Sequence, residues 1–212
     1  MKEIKKIICI GANCIAADIT KSLGIREKGP MDNIANFSIS KAYLLFNKEI
    51  TKYFFKYKYL KRDASKIEKE KWHFEEKVFE FRSGFSIVHN NFENKKFRFS
   101  LRKRLRNFSK FYNKSKKDNS LWYIYSLNFE DKYLNEIELT KIYKTLPECC
   151  SERLICIGIR ERNSLFEKYF NYYIELASEE NFNWGDSAQA EYIASELFKK
   201  YQIKIIKRSS KI

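Results

Sequence analysis

Cys14 stands in the turn Gly11-Ala12-Asn13-Cys14, and His73 and His89 are the only two histidines in the chain. A thiol beside an imidazole is the pairing that carries nucleophilic acyl chemistry. The thiolate attacks, the imidazole moves the proton, and a third group orients the ring. Cys14 follows a β-branched apolar run, Ile7 to Ile10, and precedes Ile15, Ala16, Ile19 and Leu23 at helical spacing. It therefore falls at or next to a helix N-terminus, above the carboxyl end of a strand. Unpaired N–H groups and the helix dipole favour a thiolate there, and open α/β sheets place their ligands at the same edge. The competing reading is a small buried apolar cysteine, the commonest use of the residue.

His73 lies in a charged segment, Lys71-Trp72-His73-Phe74-Glu75-Glu76. His89 ends the apolar stretch Phe85-Ser86-Ile87-Val88, so within an α/β sheet its ring can project toward the rim that holds Cys14. His89 is the better partner. Asp186, opening the last helix after Asn183-Trp184-Gly185, either accepts the His89 ring N–H or merely caps that helix. Asp32, in the loop Gly29-Pro30-Met31-Asp32-Asn33, acts at the same place or positions substrate. The N–H groups of Cys14 and Ile15, with Asn13, suit a developing oxyanion. Gly11 permits close approach of backbone to ligand. The same helix start also suits a phosphate or the pyrophosphate of coenzyme A. With two histidines and no C-x-x-C pair, no metal site is expected.

The elements that must hold these residues read as a single α/β domain over residues 1–212. A mostly parallel sheet flanked by helices is expected, with an inserted helical and aromatic segment over 48–84. Ile7 to Ile10, Phe85 to His89, Leu121 to Leu127, Arg153 to Ile159 and Tyr172 to Leu176 are the expected strands, the last closing the sheet. Ser38 caps a helix through Asn47, Leu134 to Leu146 is a helix closed by Pro147, and Ala188 to Tyr201 is the final one. Arg62 to Lys71 reads as an exposed, flexible or helical connector, and the basic tail Lys204 to Lys211 as frayed. Lys95 to Lys117 reads as a basic helix with Phe97, Leu101, Leu105, Phe108 and Phe111 as its buried stripe. Its polar face carries Arg98, Arg102 and Arg106, the best anion-binding candidate in the chain, with no base-reading motif beside it.

The formal net charge of +15 and aromatic content of 17% point to an acidic partner: nucleic acid, an anionic membrane surface or a phosphorylated substrate. Codon bias toward Lys, Asn, Ile, Phe and Tyr competes as an explanation of the lysine. An odd set of five cysteines, two of them adjacent, is no disulfide framework and fits a reducing, cytoplasmic setting. Lys5-Lys6 before an apolar run mimics a secretory signal, but Asn13 and Asp18 interrupt it. No apolar segment approaches 18 residues, so no transmembrane segment is expected.

Taken in order over roughly 7–190, several motifs carry a resemblance. They are Gly11-x-Asn13-Cys14, Leu23-Gly24-Ile25-Arg26, Gly29-Pro30-Met31-Asp32-Asn33-Ile34, the Val88-His89 strand end and the Arg-rich helix Phe97–Phe108. Together they resemble a bacterial family of unknown function grouped with papain-like cysteine peptidases. Its pattern is a G-x-N-C turn, an L-R element, a P-F-D-W loop, an aromatic-H-D strand end and a basic helix. The resemblance implies a cysteine hydrolase with Cys14 as nucleophile and His89 as its partner. Two positions depart: Pro30-Met31-Asp32-Asn33 stands for P-F-D-W, and His89-Asn90 for H-D. Asn90 can hydrogen-bond a histidine but cannot stabilise an imidazolium by charge, which leaves Asp186 or a simple dyad. The Asn-Cys turn is also similar to one that opens a family of capsule-biosynthesis proteins thought to bind coenzyme A. That similarity implies acyl transfer from a coenzyme A thioester to a surface polysaccharide. The substrate implied is a small molecule, peptide or glycan, anionic if the basic helix meets it. Binding of nucleic acid or another polyanion by a non-catalytic basic module is the remaining alternative, with nucleic acid the less expected partner.

Overall fold

The runs at 7–10, 121–127, 153–159 and 172–176 are short, continuous and rich in branched or aromatic side chains. Such runs fit strands covered on both faces rather than surface helices. A computed structural model describes residues 1–11, 14–30, 38–47, 58–72, 76–81, 86–88, 90–127, 131, 133–159, 164–176 and 187–206, with backbone alone at 14, 15, 68, 71, 72, 159 and 187. Its strands are β1 Lys2–Ile4, β2 Lys6–Cys9, β3 Arg26–Glu27, β4 Tyr59–Asp63, β5 Lys77–Phe81, β6 Ser86–Ile87, β7 Leu121–Ser126, β8 Leu154–Ile159, β9 Tyr172–Leu176 and β10 Ile203–Ile205. The helices are α1 Cys14–Ser22, α2 Tyr43–Phe46 after a 3-10 turn at Ile39–Lys41, α3 Lys66–Trp72, α4 Lys95–Ser115, α5 Glu136–Thr145, α6 Glu148–Ser151, α7 Ser164–Tyr169 and α8 Ser187–Tyr201.

Five strands form one sheet in the order β3-β2-β7-β8-β9, every neighbouring pair parallel. The protein is thus a mixed α/β fold with parallel strands flanked by helices. Alternation along β7 divides the two faces. Tyr123 meets Phe46 of α2 at 5.8 Å and Phe111 of α4 at 5.5 Å between ring centroids. Trp122 turns the other way onto Tyr172, 4.8 Å away, which in turn meets Tyr201 of α8 at 5.2 Å. Helix α1 packs against β2, β7 and α8 on that second side.

Helix α1 stops where Gly24 takes a φ of 70°. The Gly24 amide donates to the Lys21 carbonyl and the Ile25 amide to that of Thr20, the paired bonds of a glycine-terminated helix. Helix α4 starts at Asn94, whose side chain accepts from the Lys96 amide, and buries Leu101, Leu105, Phe108, Phe111 and Ser115. At its other end the Arg153 guanidinium donates to the carbonyls of Ser115 at 2.6 Å, Asp118 at 2.7 Å and Leu121 at 3.2 Å. That clamp fixes the turn from α4 into β7, so α4 runs back along the sheet with its N-terminus toward the carboxyl edge.

Three expectations change, and a fourth holds in part. The stretch 85–89 does not join the parallel sheet: β6 pairs antiparallel with β5, which pairs antiparallel with β4. The segment around 59–87 is therefore partly β, where a helical insert was expected. The Tyr59, Phe79, Phe81 and Phe92 rings pack at 5.1–6.1 Å, and Phe79, Phe81 and Phe92 belong to the same buried cluster as β2, β7 and β8. Of the expected connector, residues 66–71 are helical, within α3, whereas residues 62–63 end strand β4. The tail is ordered through β10, because Ile203 is fully buried and the strand pairs in parallel with β1. Among the described residues, no helix is long and apolar enough to cross a membrane.

Candidate functional site

In chain order the strands of the parallel sheet are arranged second, first, third, fourth, fifth. The connection from β2 leaves to one side and that from β7 to the other, which opens a crevice at the carboxyl ends of these two strands. Pairing there continues past the strand, since the Ile10 amide donates to the Ile124 carbonyl at 3.0 Å. Gly11 follows, buried, its carbonyl accepting from the Cys9 thiol at 3.5 Å. Cys14 is the first residue of α1 and Ile15 the second, so their amides have no acceptor within the helix. Buried Ala16, Ala17 and Ile19 hold that helix against the sheet.

Two further contacts frame the crevice. At Gly29 a β-carbon would lie 3.0 Å from Ile8 Cγ1 and 3.3 Å from the Cys9 carbonyl. A side chain here would make Ile8 or the Cys9 carbonyl give by a few tenths of an ångström, so glycine eases the close approach to the end of β2, and buried Pro30 continues from it. Across the crevice, Asp131 is fully buried just after β7. Its carboxylate accepts from Ser38 Oγ at 2.8 Å, the Ile39 amide at 3.2 Å and the Tyr125 hydroxyl at 2.5 Å. Gly29 and Pro30 are thus pressed on the end of β2, and Ser38 is tied to the residue that follows β7. Burial, with the Asp131 charge second, holds the Tyr125 hydroxyl well above its ordinary range. Sequence reasoning missed both anchors. Gly29 was legible only as a turn glycine, and Asp131 sits 93 residues from Ser38 with no local signal.

Gly11, Cys14 and Ile15 are placed at this crevice by their backbone. Asn13, Asp32, His89 and Asp186 lie outside the described residues. Their neighbours are placed: Val88 is buried, Asn90 half-buried, and Ser187 opens α8, which packs on α1. Because the strand leading to His89 belongs to the antiparallel sheet, the route expected to bring it to the rim is not the one observed. Helix α4 begins five residues after Asn90. Arg98 is half-buried with its guanidinium 5.5 Å over the Phe92 ring, whereas Arg102 and Arg106 are exposed further along α4.

The other thiols are poor nucleophile candidates. Cys9, Cys150 and Cys156 are buried. Burial pushes the Cys150 and Cys156 thiols well above their usual range, with the Asp131 charge adding to the effect at Cys156. Cys149 is half-buried near Ser115, at the opposite edge of the sheet. A shallow cleft of about 180 Å³ lined by Lys6, Glu27, Lys110 and Lys114 also lies at that opposite edge, away from Cys14. Among the described residues, no three His, Cys, Asp or Glu side chains converge as a metal site would need. Comparison with family models, curated proteins and solved structures finds no match to the chain.

Proposed function

We propose that this chain is a thiol enzyme of acyl-transfer or hydrolytic type, with Cys14 as nucleophile and His89 as acid/base. The observation that supports it is the start of α1 at Cys14, over the crevice between β2 and β7. There the free amides of the first helical turn stabilise both a thiolate and an oxyanion. In the reaction, the Cys14 thiolate adds to an acyl carbonyl, and the amides at the start of α1 hold the oxygen as charge develops. His89 gives a proton to the leaving group as the carbon–leaving-group bond breaks, which yields a Cys14 thioester. It then takes a proton from the incoming water or hydroxyl, whose attack releases the Cys14 thiolate. Asp32 positions substrate, and Asp186 or Asn90 orients the imidazole.

The acceptor separates a papain-like peptidase from a coenzyme A-dependent acyltransferase in surface-polysaccharide synthesis. Arg98, on the first turn of α4 toward the carboxyl edge, favours an anionic donor and hence the second. The deciding measurement is the alkylation rate of Cys14 against pH, followed by mass spectrometry of its peptide, in wild type and His89→Ala. The expected apparent pKa lies at least one unit below the ordinary thiol value of about 8.5 and rises toward it in His89→Ala. A value near 8.5 that ignores the histidine substitution would sink the thiolate–imidazole pair.

A further inference from the structure

The charge of the chain is concentrated in two places. Residues 95–117 hold eleven of its 42 Lys and Arg and none of its 27 Asp and Glu, and residues 204–211 hold four more cations without an acid. The +15 excess is therefore contained in these two stretches, and the other 181 residues are balanced, 27 cations against 27 anions. Codon bias spreads lysine along a whole chain and does not produce this segregation.

Helix α4 displays its share in one direction. Leu101, Leu105, Phe108, Phe111 and Ser115 are buried on the sheet side. The opposite crest runs Lys96, Phe99, Lys103, Arg106 and Lys110, with Lys117 in the turn just beyond the helix, all exposed, at spacings of three, four and seven residues. With 21 residues α4 is about 31 Å long. It lies lengthwise on the sheet, so this crest is a ridge, convex except where Lys110 also borders the shallow cleft shared with Lys6 and Glu27. Phe99, 69% exposed, stands among the cations as a large apolar ring facing solvent.

We infer that the α4 crest docks this protein onto an anionic lipid bilayer, its cations over the headgroups and Phe99 in the interface. A convex ridge brings all of its side chains to a plane together, and a basic face bearing an aromatic ring is the composition of an interfacial helix. Single-stranded nucleic acid asks for the reverse shape, a groove with several aromatic platforms. Here Phe99 is the one exposed ring on the described crest, since Tyr112 is half-buried with Lys116 Nζ 4.3 Å over it. Duplex-reading helices enter a groove by their N-terminal residues, whereas α4 is fixed along its length.

The test is co-sedimentation of the full chain with vesicles of phosphatidylglycerol and phosphatidylcholine, 3:7, at 0.1 M salt, with pure phosphatidylcholine as reference. Wild type is expected on the anionic vesicles alone and to dissociate at 0.5 M salt. Each cation near an anionic surface is worth about five-fold in binding. The variant with Lys96, Lys103, Arg106 and Lys110 all changed to Gln should thus weaken by at least about 100-fold at unchanged thermal midpoint. In Phe99→Trp, tryptophan emission should shift to the blue on vesicle addition, beyond any shift of wild type. Failure of the folded protein to sediment, binding unmoved by the four substitutions, or displacement by DNA at equal phosphate concentration would overturn the proposal, the last in favour of nucleic acid.

Discussion

The four cysteines whose side chains are described, Cys9, Cys149, Cys150 and Cys156, differ in burial, and their reactivity should sort accordingly. Cys9 is closed in beneath Gly11, Cys150 lies in the short helix α6, and Cys156 is on β8 next to Tyr125 in register. A buried thiol resists both ionisation and reagent access. Iodoacetamide at pH 8 should therefore leave Cys9, Cys150 and Cys156 unmodified in the native protein and label all five in urea, read peptide by peptide by mass spectrometry. Native-state labelling of Cys156 would contradict its place in the core. At this scale the sequence was a partial guide. Cys9 and Cys156 were legible as strand residues from their apolar neighbours, and Cys14 as a helix start from the strand-like run before it and the helical spacing of Ile15, Ala16, Ile19 and Leu23 after it. The ties of Asp131 were not, because a buried carboxylate and a surface turn residue look alike until the donors around it are known.

Among the elements, β8 carries a constraint that its sequence conceals. Gly158 reads as a weak point in a strand, yet a β-carbon there would lie 2.0 Å from the Tyr173 hydroxyl and 2.7 Å from ring carbon Cζ. The Tyr173 ring occupies the space a side chain would use, and Tyr201 holds it by accepting from its amide and donating to its carbonyl. Gly158→Ala should lower stability by about 1–3 kcal/mol through overpacking, measured as a reduced urea midpoint. An unchanged midpoint would mean the ring swings aside freely. The long strands β7, β8 and β9 and the capped helices were legible because their period and punctuation span many residues. The two-residue strands β3 and β6 were not, since so short a run says nothing of its partner. That is why β6 was assigned to the wrong sheet.

For the molecule as a whole, the core stores protons. Burial raises the Tyr123 and Tyr125 hydroxyls and the Cys150 and Cys156 thiols above their ordinary values of 10.0 and 9.0. Above pH 9 the unfolded chain releases these protons while the native one keeps them, so the native state binds more protons and loses stability as pH rises. The contribution is complete below about pH 9 and falls by up to about 1.4 kcal/mol per pH unit for each group beyond its unfolded pKa. Urea midpoints should be level from pH 7 to about 8.5 and decline steadily to pH 11, less steeply in Tyr123→Phe. A curve flat to pH 11 would show that these groups ionise in place.

The pairing of β1 with β10 joins positions 2–4 to 203–205. Closing a loop of some 200 residues costs about 5 kcal/mol of chain entropy. Three-residue strands recover that only after the parallel sheet already holds their ends together, so this pair closes late and opens early. Helix α8 spans from the carboxyl edge back to β10 and packs on α1, the helix that begins with Cys14. Fraying at the two extremities therefore reaches the candidate thiol through two packed helices. The β1–β10 pair thus bears on α1 through α8.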